Sequence, residues 1–183
     1  MNIAIIYDSI YGNTAQVAKA IATGLDRGHE VKLVTVQEAM DLDLSGTDLL
    51  VIGSPTRGFQ PTPNILEFIA ALGPAPEGLT AAVFDTRLDP ETISPLPLRW
   101  VVEVGGYAAT RMASGLRSHG IELRGDPEAF LVTGTEGPLK AGELERAREW
   151  ARGLLVRQPR TAEIESIGSA STRRGAPDPG RPS

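Results

Sequence analysis

The chain has 183 residues, of which 41% are hydrophobic and 22% are charged, a composition typical of one soluble globular domain. It contains no cysteine, which excludes thiol catalysis, iron–sulfur clusters, zinc–thiolate sites and disulfides. The net charge is -5 and no basic cluster is interleaved with aromatic residues, so we expect no nucleic-acid partner. No apolar run is long enough to span a bilayer and no basic leader precedes the first apolar residues, so we expect a cytoplasmic protein.

Five segments predict β-strands, namely 2–7, 31–36, 48–53, 79–84 and 129–133. Four of them are nearly continuous apolar runs, which is typical of strands whose two faces are both covered by helices. The second segment is polar at Lys32 and Thr35, which indicates a less enclosed strand at the edge of a sheet.

Between the strands, the spacing of apolar residues changes to that of a helix. Four stripes are present: Val17, Ile21 and Leu25; Ile65, Phe68, Ile69 and Leu72; Ala108, Met112 and Leu116; and Leu144, Ala147, Ala151 and Leu154. We expect Gly28, Gly73 and Gly120 to close the first three helices in the left-handed conformation. Strands that alternate with helices require a parallel sheet with right-handed crossovers, so the sequence predicts a doubly wound α/β domain of five strands.

Two segments lie outside this alternation. Residues 157–183 contain four prolines and only two large aliphatic side chains, Ile164 and Ile167, too little apolar surface to offset the entropy of ordering. We therefore expect a domain over 1–156 and a flexible tail over 157–183, with docking of the arginine-bearing tail to an acidic partner as the alternative. For residues 88–106 a packed connection, a lid and a dimer contact all remain open.

The loop after the first strand has the residues of an anion-binding loop. Residues 8–14, DSIYGNT, provide hydroxyls, an amide, a glycine and the start of a helix at one point. Backbone amides, the hydroxyls of Ser9 and Thr14 and the helix dipole could hold a phosphate without Lys or Arg. The alternative is an ordinary turn in which Asn13 or Thr14 caps the helix. Since the chain has no Gly-Lys pair and no Gly-x-Gly-x-x-Gly after a strand, nucleoside triphosphates and the usual dinucleotide fold are disfavoured.

The loops after the third and fourth strands are polar, and each carries one arginine. They are residues 53–61, GSPTRGFQP, and residues 85–90, DTRLDP. In the doubly wound strand order 2-1-3-4-5, strands 1, 3 and 4 are neighbours, so the three loops would meet at the carboxyl edge of the sheet. Ligands of such sheets bind in a crevice at this edge, which makes the three loops together a candidate binding site.

These motifs resemble those of the flavodoxin-like superfamily. Residues 7–14, YDSIYGNT, resemble its phosphate loop, especially the version found in quinone reductases of that superfamily, while 53–58 and 84–87 resemble its second and third flavin loops. The resemblance implies the flavodoxin-like order 2-1-3-4-5 and bound FMN, with the phosphate on the first loop and the ribityl chain and ring between the other two. The implied binding residues are Ser9, Ile10, Tyr11, Gly12, Asn13, Thr14, Ser54, Pro55, Thr56, Arg57, Gly58, Phe59, Asp85, Thr86 and Arg87.

The second and third loops also depart from the family. Flavodoxins usually surround the ring with aromatic and acidic residues, whereas here Arg57 and Arg87 would add positive charge at the rim. We therefore hypothesise that the flavin is reduced more readily than in acidic sites. The alternatives are that these arginines bind the phosphate of a nicotinamide cofactor, bind an acidic partner, or form surface salt bridges, for example to Asp89 or Glu91. The resemblance implies that the backbone of Gly58 faces flavin N5, and an ordinary turn glycine is the other interpretation.

Three functions follow from these residues. The preferred one is an FMN-binding protein that carries electrons between redox partners, with no catalytic side chain and no metal. The second is an FMN-dependent oxidoreductase that uses NAD(P)H to reduce a quinone-like acceptor. The third is a cofactor-free signalling or binding domain, of which a phosphorylated receiver is disfavoured because the third strand ends in Gly53 and Ser54 instead of Asp.

Overall fold

In the part of the chain that the structure describes, six parallel strands form one sheet in the order β2-β1-β3-β4-β5, with β6 also paired to β4. The computed structural model describes residues 1–92 and 108–156. The strands are β1 (Asn2–Tyr7), β2 (Glu30–Thr35), β3 (Leu49–Pro55), β4 (Thr80–Leu88), β5 (Glu122–Leu123) and β6 (Glu128–Val132). The doubly wound α/β class and the predicted strand order are confirmed, and the polar segment β2 lies at the edge as expected.

Five α-helices lie in the described residues and connect the strands: α1 (Asn13–Leu25), α2 (Val36–Ala39), α3 (Pro63–Ala71), α4 (Ala108–Ser118) and α5 (Glu143–Leu154). All four predicted stripes lie on helices, except that Leu72 of the second stripe follows the last residue of α3. The short helix α2 was not predicted; it begins with a capping box in which Thr35 and Glu38 satisfy each other's backbone amides. In the described residues, none of these helices is both long and apolar enough to cross a membrane.

The fifth position of the sheet holds two strands where the sequence predicted one. The first two residues of β4 pair with β5, and its second half pairs with β6. Residues 124–127 separate the two strands and include Gly125, whose φ is 82°, and Pro127, which has no amide to donate. The predicted strand 129–133 corresponds to β6.

The glycines after the helices follow the prediction in two of three cases. Gly28 and Gly120 have φ values of 79° and 77°, in the left-handed region. Gly73 does not have a positive φ, so that prediction is wrong. Helix α3 instead ends through Leu72, which turns to an extended conformation at ψ 131° and leads the chain toward Pro74.

Two hydrophobic cores lie on opposite faces of the sheet. Because successive strand residues point to opposite faces, Ile5 joins Ile21 of α1 in the core beneath α1 and α5, and Ile6 joins Met112 of α4 in the core beneath α2, α3 and α4. All four of these side chains are fully buried. The 157–183 tail and most of 88–106 lie outside the described residues, so the proposals for them remain predictions.

The register brings three loops to one level at the carboxyl edge. Tyr7 of β1 pairs with Gly53 of β3, and Gly53 pairs with Phe84 of β4. The segments that begin at Asp8, Ser54 and Asp85 therefore start side by side. This alignment assembles the candidate site.

Candidate functional site

The first loop, residues 8–14, contains a row of unpaired backbone amides at residues 10–14. Gly12 has a φ of 84° and precedes the first residue of α1 without a side-chain cap. Ser9 fills part of that role, because its hydroxyl accepts a hydrogen bond from the amide of Ala15 at 3.3 Å. Within the part of the chain that the structure describes, no amide of residues 10–14 donates to another residue. Amides of this kind at a helix N-terminus favour an anion.

The side chains of Asn13 and Thr14 are both engaged by other loops. The side-chain amide of Asn13 donates to the backbone carbonyl of Glu136 at 2.9 Å, and the Thr14 hydroxyl lies 2.8 Å from the Thr86 hydroxyl. Neither side chain caps α1. A hydroxyl can donate once and accept twice, so the Thr14–Thr86 pair keeps the capacity for a further hydrogen bond.

A tight hairpin shapes the second loop, residues 54–62. Arg57 and Gln60 exchange both backbone hydrogen bonds at 3.0 Å, and the two residues between them, Gly58 and Phe59, have φ values of 53° and 67°. Positive φ at both central positions is the pattern of a type I′ turn, which explains the glycine and leaves Phe59 in a strained conformation. The Ser54 hydroxyl is fully buried and accepts the amide of Thr62 at 3.0 Å, so it holds the loop together from below.

The third loop differs most from the sequence prediction, because β4 continues to Leu88. Arg87 binds Asp85 through two hydrogen bonds of 2.6 and 2.7 Å, and Asp85 is fully buried. A surface salt bridge to Asp89 or Glu91 was the alternative role for this arginine; the ion pair observed is with Asp85, and Lys140 binds Asp89 and Glu91. The expectation that Arg87 adds net positive charge at the rim is revised, because its nearest carboxylate offsets that charge.

Asp85 connects the third loop to its surroundings. Its carboxylate also accepts the amide of Ala109, in the first turn of α4, at 3.0 Å. Burial raises the pKa of Asp85 above its ordinary value, while the Arg87 guanidinium, the Ala109 amide and the Thr56 hydroxyl partly offset this effect. Asp85 thus links β4 to α4 beneath the site and does not line the cleft itself.

The three loops enclose a cleft of about 250 Å³. Ten of the fifteen predicted binding residues line it, namely Ile10, Tyr11, Asn13, Thr14, Pro55, Thr56, Arg57, Gly58, Thr86 and Arg87. The other five, Ser9, Gly12, Ser54, Phe59 and Asp85, lie in the same loops without lining the cleft. The sequence missed three lining residues, Leu88, Val132 and Thr135. The polar segment 133–137, which follows the last predicted strand, could have pointed to Thr135 and to the adjoining Val132.

The mouth of the cleft combines exposed apolar side chains with the exposed guanidinium of Arg57. Ile10 and Tyr11 are 45% exposed and Leu88 is 38% exposed, so three large hydrophobic side chains face solvent around one opening. Arg57 is exposed and forms no ion pair within the described residues. Apolar walls with a few polar groups are typical of a site for a flat organic ligand.

Comparison with known proteins agrees with this geometry. A family model described as a flavodoxin domain matches residues 4–92, which include all three loops and the whole of β4. The match covers just under half of the chain, and the strand order of the sheet is that of the flavodoxin-like fold. A putative diflavin flavoprotein from Nostoc sp. is 42% identical over 69 residues, which are 34% of this chain and 12% of that protein.

Solved structures show the same fold in this flavodoxin-like chain. Oxidised flavodoxin 2 from Bacillus cereus superposes with a TM-score of 0.63 at 23% identity, covering 84% of this chain and 97% of that one. Rubredoxin oxygen:oxidoreductase from Desulfovibrio gigas superposes with a TM-score of 0.62 at 17% identity, covering 92% of this chain and 37% of that one. The chain therefore spans about an eighth of the curated relative and just over a third of the second structure.

Proposed function

We propose that residues 1–156 bind FMN in the cleft and carry electrons between redox partners. The unpaired amides of residues 10–14 are the observation that carries this proposal, because they would receive the phosphate of FMN at the start of α1. The loop has no cation, so these amides and the helix dipole would provide the attraction. The flavin supplies the redox chemistry, and the chain supplies its position and environment.

The rest of the cleft fits the remaining parts of FMN. The paired hydroxyls of Thr14 and Thr86 lie beside the first loop, where they suit a polyhydroxyl chain. Ile10, Tyr11 and Leu88 offer apolar contacts for a planar ring. Gly58 lines the cleft, and its φ of 53° is one that glycine adopts without strain. Its peptide could therefore face flavin N5, which is the role that the family resemblance implies.

Two glycines at opposite ends of α1 offer a matched test. Gly12 and Gly28 have φ values of 84° and 79°, and an added Cβ would touch nothing within 4 Å at either position. Alanine therefore causes the same backbone strain in both, while only Gly12 lies in the amide row. We expect Gly12→Ala to weaken FMN binding at least about tenfold in calorimetry, and Gly28→Ala to leave it unchanged. Wild-type protein that binds no FMN, or equal losses in both variants, would refute the proposal.

The second candidate is an FMN-dependent NAD(P)H:quinone-type oxidoreductase. The exposed Arg57 at the cleft mouth favours it, because an unpaired guanidinium can bind the phosphate of a nicotinamide cofactor. Holoprotein that consumes NADPH with a quinone, in the absence of any added reductase, would establish this activity. Failure to do so, together with electron transfer to and from protein partners, would support the carrier.

A further inference from the structure

A fourth segment, the hairpin of residues 132–140, adjoins the cleft. Val132 and Leu139 form an antiparallel bridge, and the amide of Thr133 donates to the carbonyl of Pro138 at 2.9 Å. The amide of Lys140 donates to the carbonyl of Leu131 at 2.8 Å. The hairpin is thus an ordered extension of β6.

The hairpin is fastened to the first loop on one side. Asn13, only 8% exposed, donates from its side-chain amide to the Glu136 carbonyl at 2.9 Å. The fit is close, since a Cβ at Gly137 would lie 2.7 Å from the amide nitrogen and oxygen of Asn13. Any shift of the hairpin would therefore move the first loop.

The hairpin is fastened to the end of β4 on the other side. Lys140 binds the buried carboxylate of Asp89 at 2.7 Å, and the amide of Asp89 donates to the carbonyl of Val132 at 2.9 Å. Between these two attachments lies Thr135, which lines the same cleft as Asn13 and Thr14.

We propose that Thr135 is a further binding residue for the cofactor phosphate, and that Asn13 is a positioning residue that holds Thr135 over the first loop. The inference rests on the proposed function. A neutral hydroxyl donor suits the first loop, whose donors are backbone amides and which contains no Lys or Arg. The hairpin then forms a fourth wall of the site, supplied by the last strand of the sheet.

Thr133 gives a matched control for Thr135. Both threonines are exposed and lie in the same hairpin, but the hydroxyl of Thr133 donates to the Pro138 carbonyl and does not line the cleft. We expect Thr135→Val to weaken FMN binding about tenfold and to leave riboflavin binding unchanged, because riboflavin lacks the phosphate. Thr133→Val should change neither affinity.

A double-mutant cycle tests the positioning role of Asn13. Asn13→Ala should weaken FMN binding, and Thr135→Val should then have no further effect, because the hairpin no longer holds the hydroxyl in place. Additive losses would refute the positioning role.

Failure of the proposed function and failure of the role of Thr135 give different results. Wild-type protein that binds no FMN refutes the proposed function. Wild-type protein that binds FMN as tightly as its Thr135→Val variant, or a Thr135→Val variant that loses riboflavin to the same extent, refutes only the role of Thr135. Both Thr variants replace exposed side chains, so folding does not obscure the comparison.

Discussion

The ion pair between Arg87 and Asp85 gives the sharpest test of the site's architecture. The buried Asp85 carboxylate accepts two guanidinium hydrogen bonds, at 2.6 and 2.7 Å, and the Ala109 amide at 3.0 Å. Arg87→Met keeps much of the apolar stem and removes both guanidinium bonds. Removing one partner of a buried pair costs about 3–5 kcal/mol because the other charge stays buried. We expect the free energy of unfolding to fall by this amount near neutral pH.

The size of the loss depends on pH. Burial raises the pKa of Asp85, so the native state binds this proton more tightly than the unfolded chain, and stability falls as pH rises from the unfolded to the folded pKa. Without Arg87 no guanidinium opposes the effect of burial, so the pKa of Asp85 in the folded state rises further. Each pKa unit corresponds to about 1.4 kcal/mol of stability. The fall in stability then continues to higher pH. The cost of Arg87→Met should therefore be larger at about pH 8 than at about pH 5.

Urea unfolding of the cofactor-free protein, followed by circular dichroism, measures both effects. The control is the double variant Asp85→Asn with Arg87→Met, in which the buried carboxylate is gone and an amide oxygen can still accept the Ala109 hydrogen bond. It should be more stable than Arg87→Met alone. A loss below about 1 kcal/mol at pH 8, or a double variant no better than the single one, would show that burial of the carboxylate does not control stability here.

Three further expectations concern single residues. Gly53→Ala would place a Cβ in the ring of Phe84 and should lower the free energy of unfolding in urea by about 1–3 kcal/mol. In the control Gly73→Ala the Cβ meets nothing within 4 Å, so the loss should be less than about 1 kcal/mol. Equal losses in the two variants would contradict this expectation. Thr62→Val removes a buried hydroxyl that has no partner among the described residues and should stabilise the protein by about 1 kcal/mol in the same assay; a loss would show that the hydroxyl is bonded. Arg57→Ala should make the cofactor's midpoint potential more negative by on the order of 10–40 mV at low salt, measured by spectroelectrochemistry; a shift that grows with salt would refute a charge effect.

The sequence alone determined the fold class and the location of the site. Alternating apolar strands and amphipathic helices permit only a parallel, doubly wound sheet, because each element must bury its apolar surface against another. The loops that follow neighbouring parallel strands then share one edge. This reasoning needs only local period and composition to bring the three loops together, and the family resemblance implied the individual residues, ten of which line the cleft.

Only the tertiary structure decided which side chains face the cleft and which support it. The sequence indicated that the fourth strand ends at Phe84, but β4 continues to Leu88, and this places Asp85 and Arg87 on the same face as an ion pair. The hairpin that brings Thr135 to the first loop depends on contacts between residues more than a hundred positions apart, such as Asn13 and Glu136. Short-range patterns contain no information about such pairs, because the packing of the whole sheet and its helices brings them together.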